Sequence, residues 1–169
     1  MDARTFDDSI LKKDTIIEKI IAALAAELAG YARSARAAHA DATDEQSKAE
    51  NKYDTRGLES SYLARGQSRQ AAEVAQAMQQ YELLTVREFA TQEPIHIGAV
   101  VELERKGERT FYFVGPSAGG TEITCDGRAV LVISPHSPMG QQLVGRKRGE
   151  RLQIKVGGAS ESYQVAAVS

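Results

Sequence analysis

With 169 residues, 42% of them hydrophobic and 26% charged, the chain has the composition of one folded domain or two small ones, which excludes a disordered segment. A formal net charge of −2 excludes the strongly basic balance of a dedicated nucleic-acid-binding domain. The single cysteine, Cys125, excludes an internal disulfide framework and fits a reducing compartment.

The first stretch, MDARTFDDSILKKD, carries acids where a secretory signal needs positive charge. The apolar run IIEKIIAALAAELAGYA is interrupted by Glu18, Lys19 and Glu27, so it reads as a soluble helix and not as a membrane span. The expected location is the cytoplasm.

A first helix can start at Asp7, with Phe6 and Leu11 as a hydrophobic staple. Ile10, Ile17, Leu24, Tyr31 and Ala38 then recur every seven residues, and Ile21, Leu28 and Ala35 fill the positions between them. This is a coiled-coil seam, broken once at Asp14. A fold-back is expected at residues 40–43, where Thr43 and Gln46 have capping-box spacing. The second helix repeats the seam through Tyr53, Gly57, Ser60, Ala64, Gln67, Ala71, Val74, Met78 and Tyr81. Large Ile and Leu on one helix facing small residues on the other predict an antiparallel hairpin on the order of 50 Å long. The expected facing sets are Ile17, Ile21, Leu24 and Leu28 against Ser60, Ala64, Gln67 and Ala71. Dimerisation through the same seam is the alternative that the pattern leaves open.

Between the two helices lies DATDEQSKAENKYD, residues 41–54, with the acids Asp41, Asp44, Glu45, Glu50 and Asp54 answered only by Lys48 and Lys52. An acidic cap on a helix pair is commonly a solvated surface, and charge alone leaves that reading open.

Near VREFATQEP the grammar changes, since all four prolines lie at or after Pro94. Residues 1–90 therefore read as the hairpin and residues 94–169 as a second domain. The charge divides too: Lys and Arg against Asp and Glu number 12 to 16 in residues 1–93 and 9 to 7 in residues 94–169. HIGAVVELE, RTFYFVG, TEITC, AVLVIS, RLQIKV and SYQVAAVS read as strands of a small antiparallel sheet, joined at KGE, SAGG, DG and GGAS. One short helix interrupts them at SPMGQQLVG, with Ser137 as cap, Pro138 at the first position and Gly145 at the exit. The fold class is α+β.

The stretch ISPHSPMGQQLVGRKRGERLQIKV, residues 133–156, resembles the C-terminal signature of the bacterial Gre transcript-cleavage factors. Gly140, Leu143, Gly145, Gly149 and Glu150 match in order, with Gln142 where that family has Ala. The resemblance implies an N-terminal coiled coil, an FKBP-like C-terminal domain, and a hairpin that enters the secondary channel of RNA polymerase. It implies polymerase docking through Ser137, Pro138 and Gly140, with Arg146, Lys147 and Arg148 as a secondary contact. It also implies that tip carboxylates help hold a Mg²⁺ ion shared with the polymerase. In ENKY, Glu50, Asn51 and Tyr53 resemble the family's tip motif, whose leading Asp falls on Ser47. Glu50 and Asp44 are then the metal-ligand pair, with Glu45 beside them. The implied protein is a monomeric accessory factor with no catalysis and no cofactor of its own. It would meet nucleic acid, DNA included, only within the elongation complex. It either stimulates cleavage of backtracked RNA or occupies the channel as a non-cleaving regulator.

Overall fold

A computed structural model describes residues 11–43 and 56–169. Two long helices, α1 (Lys13–Thr43) and α2 (Arg56–Glu82), precede six strands and a short helix. In chain order these are β1 (Val100–Arg105), β2 (Glu108–Val114), β3 (Glu122–Cys125), β4 (Arg128–Ile133), α3 (Pro138–Leu143), β5 (Arg151–Val156) and β6 (Ala159–Val168). The chain divides into two compact units, one of residues 11–20 with 84–169 and the other of residues 21–83.

In the helical unit the seam is legible as burial. Leu24 and Ala38 are buried, and Ile21, Leu28, Tyr31 and Ala35 are half-buried. On α2 the half-buried Ala64, Gln67, Ala71, Val74 and Met78 lead to the buried Ala77 and Tyr81. Steps of three and four on both helices keep one stripe on each turned inward, as an antiparallel hairpin requires.

Two boundaries differ from the sequence reading. Leu11 and Lys12 are not helical, and the carbonyl of Lys12 accepts from Ile16 N–H at 3.1 Å, so α1 starts at Lys13 and not at Asp7. Asp14, the break in the seam, is exposed in this first turn, where the helix dipole favours an acid. At the other end α1 is still helical through Thr43. The chain therefore does not fold back at 40–43, and Thr43 lies in a helix where a cap for the next one was expected. The expected pairing shifts with it. The Tyr31 hydroxyl, whose pKa is raised first by a hydrogen bond to Glu27, also feels Glu73. A reversal at 40–43 would have put Tyr31 opposite the beginning of α2. Strong alanine propensity carries α1 past the weak cap signal.

In the other unit the strands form one sheet in the order β3-β4-β2-β1-β6-β5. Four pairings are antiparallel, and β2 pairs with β4 in parallel through Phe111↔Val130 to Val114↔Ile133. The sheet is thus mixed, where a wholly antiparallel one was expected. The β3–β4 hairpin folds back so that β4, and not β3, lies beside β2. Alternation within a strand carries no record of that order. Three hairpins turn on two residues with positive φ: Lys106-Gly107, Asp126-Gly127 and Gly157-Gly158. Turns of that hand match the twist of the flanking strands.

One sheet face carries a core of Val101, Leu103, Val114, Ile133, Leu152, Ile154 and Val165, closed by Leu143 of α3 and by Phe89 and Ile95. On the opposite face Val100, Phe113, Ile123, Cys125, Val130 and Val132 are buried. Ile16 and Ile20 of the same unit are also fully buried, and Lys19 lies within electrostatic reach of Cys125. Burying each such side chain stabilises by roughly 1.5–3 kcal/mol, so both faces contribute to this unit.

Candidate functional site

The segment joining β4 to β5 builds the site around α3. Ser137 is its N-cap: the hydroxyl accepts from Gly140 N–H at 3.0 Å and donates to the Ser134 carbonyl at 2.8 Å. Pro138 sits in the first turn, where its missing N–H costs nothing. Gly140 is buried against the preceding loop, and a β-carbon there would lie 2.8 Å from the Ser134 carbonyl carbon and 3.0 Å from Pro135 Cα. Only glycine lets the helix approach its own entry loop so closely. At the exit Gly145 has φ +86, and its N–H donates to Ile95 O at 2.9 Å, while Ile95 N–H donates to Arg146 O at 2.8 Å. Ile95 is fully buried, so these two bonds fix the turn after α3 to the core.

Beside α3 opens a cleft of about 440 Å³, lined by Ser137, Pro138, Met139 and Gln142 with Leu131, Ile133 and Ile154. A neighbouring cleft of about 350 Å³ shares Leu131 and includes Thr110, Tyr112 and Ala129. The cleft beside α3 has mostly apolar walls, with Ser137, Gln142 and Lys155 as its polar groups, which suits a protein surface or peptide, whereas Arg109, Glu122 and Arg128 make the neighbouring one charged.

Ser137 and Pro138 line this cleft, while Gly140 packs against the entry loop at Ser134 and Pro135, and the basic run differs in character. Arg146 is held: its guanidinium donates to Gln142 O at 3.4 Å and pairs with Glu150 at 3.3 Å. Lys147 and Arg148 are exposed, so the three residues are not equivalent. The tip residues Asp44, Glu45, Glu50, Asn51 and Tyr53, with Ser47, lie outside the described residues.

One cluster has no counterpart in the sequence reading. Lys13 is buried, with its ammonium donating to the Arg87 carbonyl and lying 4.5 Å from the centre of the Phe89 ring. Arg87 covers the same ring at 4.1 Å and pairs with Glu93 at 2.5 Å. Burial pushes the Lys13 pKa down, partly opposed by Glu88. The Arg87 hydrogen bond and the Ala90 N–H hold the Glu93 carboxyl down to about 2. The stretch VREFATQEP was legible as a join, but a lysine thirteen residues from the start gives no local sign of reaching it. Cys125 is buried in the sheet, and burial first and Asp126 second push its thiol pKa up, which disfavours the reactive thiolate. No described helix is long and apolar enough to cross a membrane.

Residues 90–169 match the C-terminal domain of the GreA/GreB transcription elongation factors. Among solved structures, the chain is similar to the GreA factor homolog 1 (Gfh1) protein of Thermus thermophilus at 23% identity and TM-score 0.38, covering 88% of this chain and 94% of that one. Gfh1 of Thermus aquaticus follows at 24% identity and TM-score 0.39, covering 86% and 90%. The GreA/GreB elongation factor of Nitrosomonas europaea stands at 17% identity and TM-score 0.36, covering 70% and 95%. Comparison with curated proteins finds no match.

Proposed function

We propose, from the match of residues 90–169 to the C-terminal domain of the GreA/GreB transcription elongation factors, that the chain is a member of that family and binds RNA polymerase as an accessory factor. The observation that carries the reading is the Ser137-capped, Gly140-packed α3 beside an open apolar cleft, inside the region that matches the family. The cleft with Ser137 and Pro138 on its rim is the docking surface, and the hairpin is the element inserted into the secondary channel.

At the tip, Asp44, Glu45 and Glu50 are carboxylates, hard oxygen donors of the kind Mg²⁺ takes. A Mg²⁺ ion shared with the polymerase would supply charge stabilisation and an activated water for RNA cleavage. The chain's own part is to present anionic oxygens at the end of a rigid lever. Ser47, a hydroxyl, cannot stand in as an anionic ligand. That single residue favours a second reading, a regulator that occupies the channel without promoting cleavage.

Stalled elongation complexes, with and without the protein, test both readings. Faster RNA cleavage supports the first. Inhibited elongation without cleavage supports the second. No co-purification with polymerase would sink both.

A further inference from the structure

Between Arg146 and Val156 the chain carries five cations, Arg146, Lys147, Arg148, Arg151 and Lys155, against one acid, Glu150. Subtracting this net of +4 from the whole-chain −2 leaves −6 for everything else. A charge so concentrated in an otherwise acidic protein calls for a reason beyond solubility.

The fold sets these cations in one strip. β5 is an edge strand, with Leu152 and Ile154 buried on one face and Arg151, Gln153 and Lys155 exposed on the other. Their cross-strand partners on β6 are Gln164, Ser162 and Ser160, all uncharged. On the next strand Glu104 shares the face, about 10 Å from Arg151 at the usual strand spacing, and it stands in register with Arg109. Lys147 and Arg148 continue the strip on the exposed turn that feeds β5, and Glu150 is taken by Arg146.

Pairing separates these cations from the nearby arginines, though not from Lys106 of the β1–β2 turn. Arg105 pairs with Glu161 and Glu108, Arg109 with Glu102, and Arg87 with Glu93. Lys147, Arg148, Arg151 and Lys155 form no ion pair with any described residue. Protection of a sheet edge would need charge on β5 alone. It does not account for the turn, nor for the other edge, β3, which is four residues long and carries Glu122.

We propose that this strip, from Lys147 to Lys155, is a contact surface for the phosphate backbone of nucleic acid. Four outward cations in a row with no exposed aromatic among them suit repeated phosphates. The contact is independent of sequence, since the strip offers no platform for base stacking and no element that enters a groove. The inference goes beyond polymerase binding and does not depend on it, because it concerns the chain alone.

The test is fluorescence anisotropy of the full chain with a labelled DNA duplex of about 20 base pairs, titrated with salt. For four phosphates neutralised, the expected log–log slope is about −3.6. In the triple variant Lys147→Gln, Arg151→Gln, Lys155→Gln the slope should flatten by about 2.7 and affinity at low salt should fall at least about tenfold. These side chains are exposed, and an unchanged circular dichroism spectrum confirms the fold. The hairpin variant Arg33→Gln, Arg69→Gln should bind like the parent. No binding at low salt, or binding that the triple variant retains, overturns the proposal. So does polyglutamate competing better than DNA at equal charge, which would assign the strip to an acidic protein partner.

Discussion

A β-carbon on Gly140 would fall inside van der Waals contact of the Ser134 carbonyl, 2.8 Å from its carbon. Because both atoms are backbone, nothing flexible can yield. Gly140→Ala should therefore push α3 off its entry loop at a cost of about 1–3 kcal/mol, read as a lower denaturation midpoint. Ser137→Ala removes the cap and the hydroxyl's bond to the Ser134 carbonyl and should cost about 1–2 kcal/mol. If the cleft beside α3 docks polymerase, Gly140→Ala also weakens co-purification more than its stability loss explains.

Leu24 is 3% exposed on the α1 seam. Leu24→Asp buries an unpaired carboxylate and should cost on the order of 4 kcal/mol. The expected readout is loss of helical circular dichroism, with the sheet domain still folded. A variant as helical as the parent would show that the stripe is not packed.

Phe89 belongs to the sheet core although it lies before the first proline. A fragment of residues 84–169 should therefore be more stable than one of 94–169, by roughly the 3–5 kcal/mol that truncating a buried Phe costs. Urea denaturation of the two fragments decides this, and equal midpoints would place Phe89 outside the core.

The Lys13 and Glu93 pKa values give stability a dependence on pH at both ends. Burial lowers the Lys13 pKa, so the fold disfavours its protonated form. That penalty is fully present below the lowered value and is relieved as pH rises toward 10.5, while the unfolded chain still binds the proton. Lys13→Met should flatten this alkaline rise. Glu93, at about 2, contributes stability above its ordinary 4.5 that is lost as pH falls from there toward 2. Glu93→Gln should flatten the acid limb. Denaturation midpoints across the two ranges check both signs.

At the tip, Glu50→Gln keeps shape and removes charge. If Glu50 holds a shared divalent ion, cleavage should vanish while polymerase binding persists. Ser47→Asp restores the family's carboxylate and should raise cleavage. Inhibition by the parent that survives Glu50→Gln is the outcome expected of the non-cleaving regulator.

The sequence by itself determined the elements whose information is local. Six strands, the Ser137 cap, Pro138 and the exit at Gly145 all stand where alternation and turn chemistry put them, because pleat and cap geometry involve residues a few positions apart. The stripe from Leu24 to Ala38 is local for the same reason. Tertiary structure alone decided the parallel β2–β4 pair and the seat of Lys13 on Phe89. Strand order depends on pairings between segments distant in the chain, whereas the run of α1 through Thr43 is a local balance in which propensity outweighs a cap. A buried lysine depends on a ring and a carbonyl that lie 74 and more positions away in the chain. Gly140 belongs to both classes: its place in the motif was legible, but the reason for it, the Ser134 carbonyl, is visible only once β4 and α3 are packed.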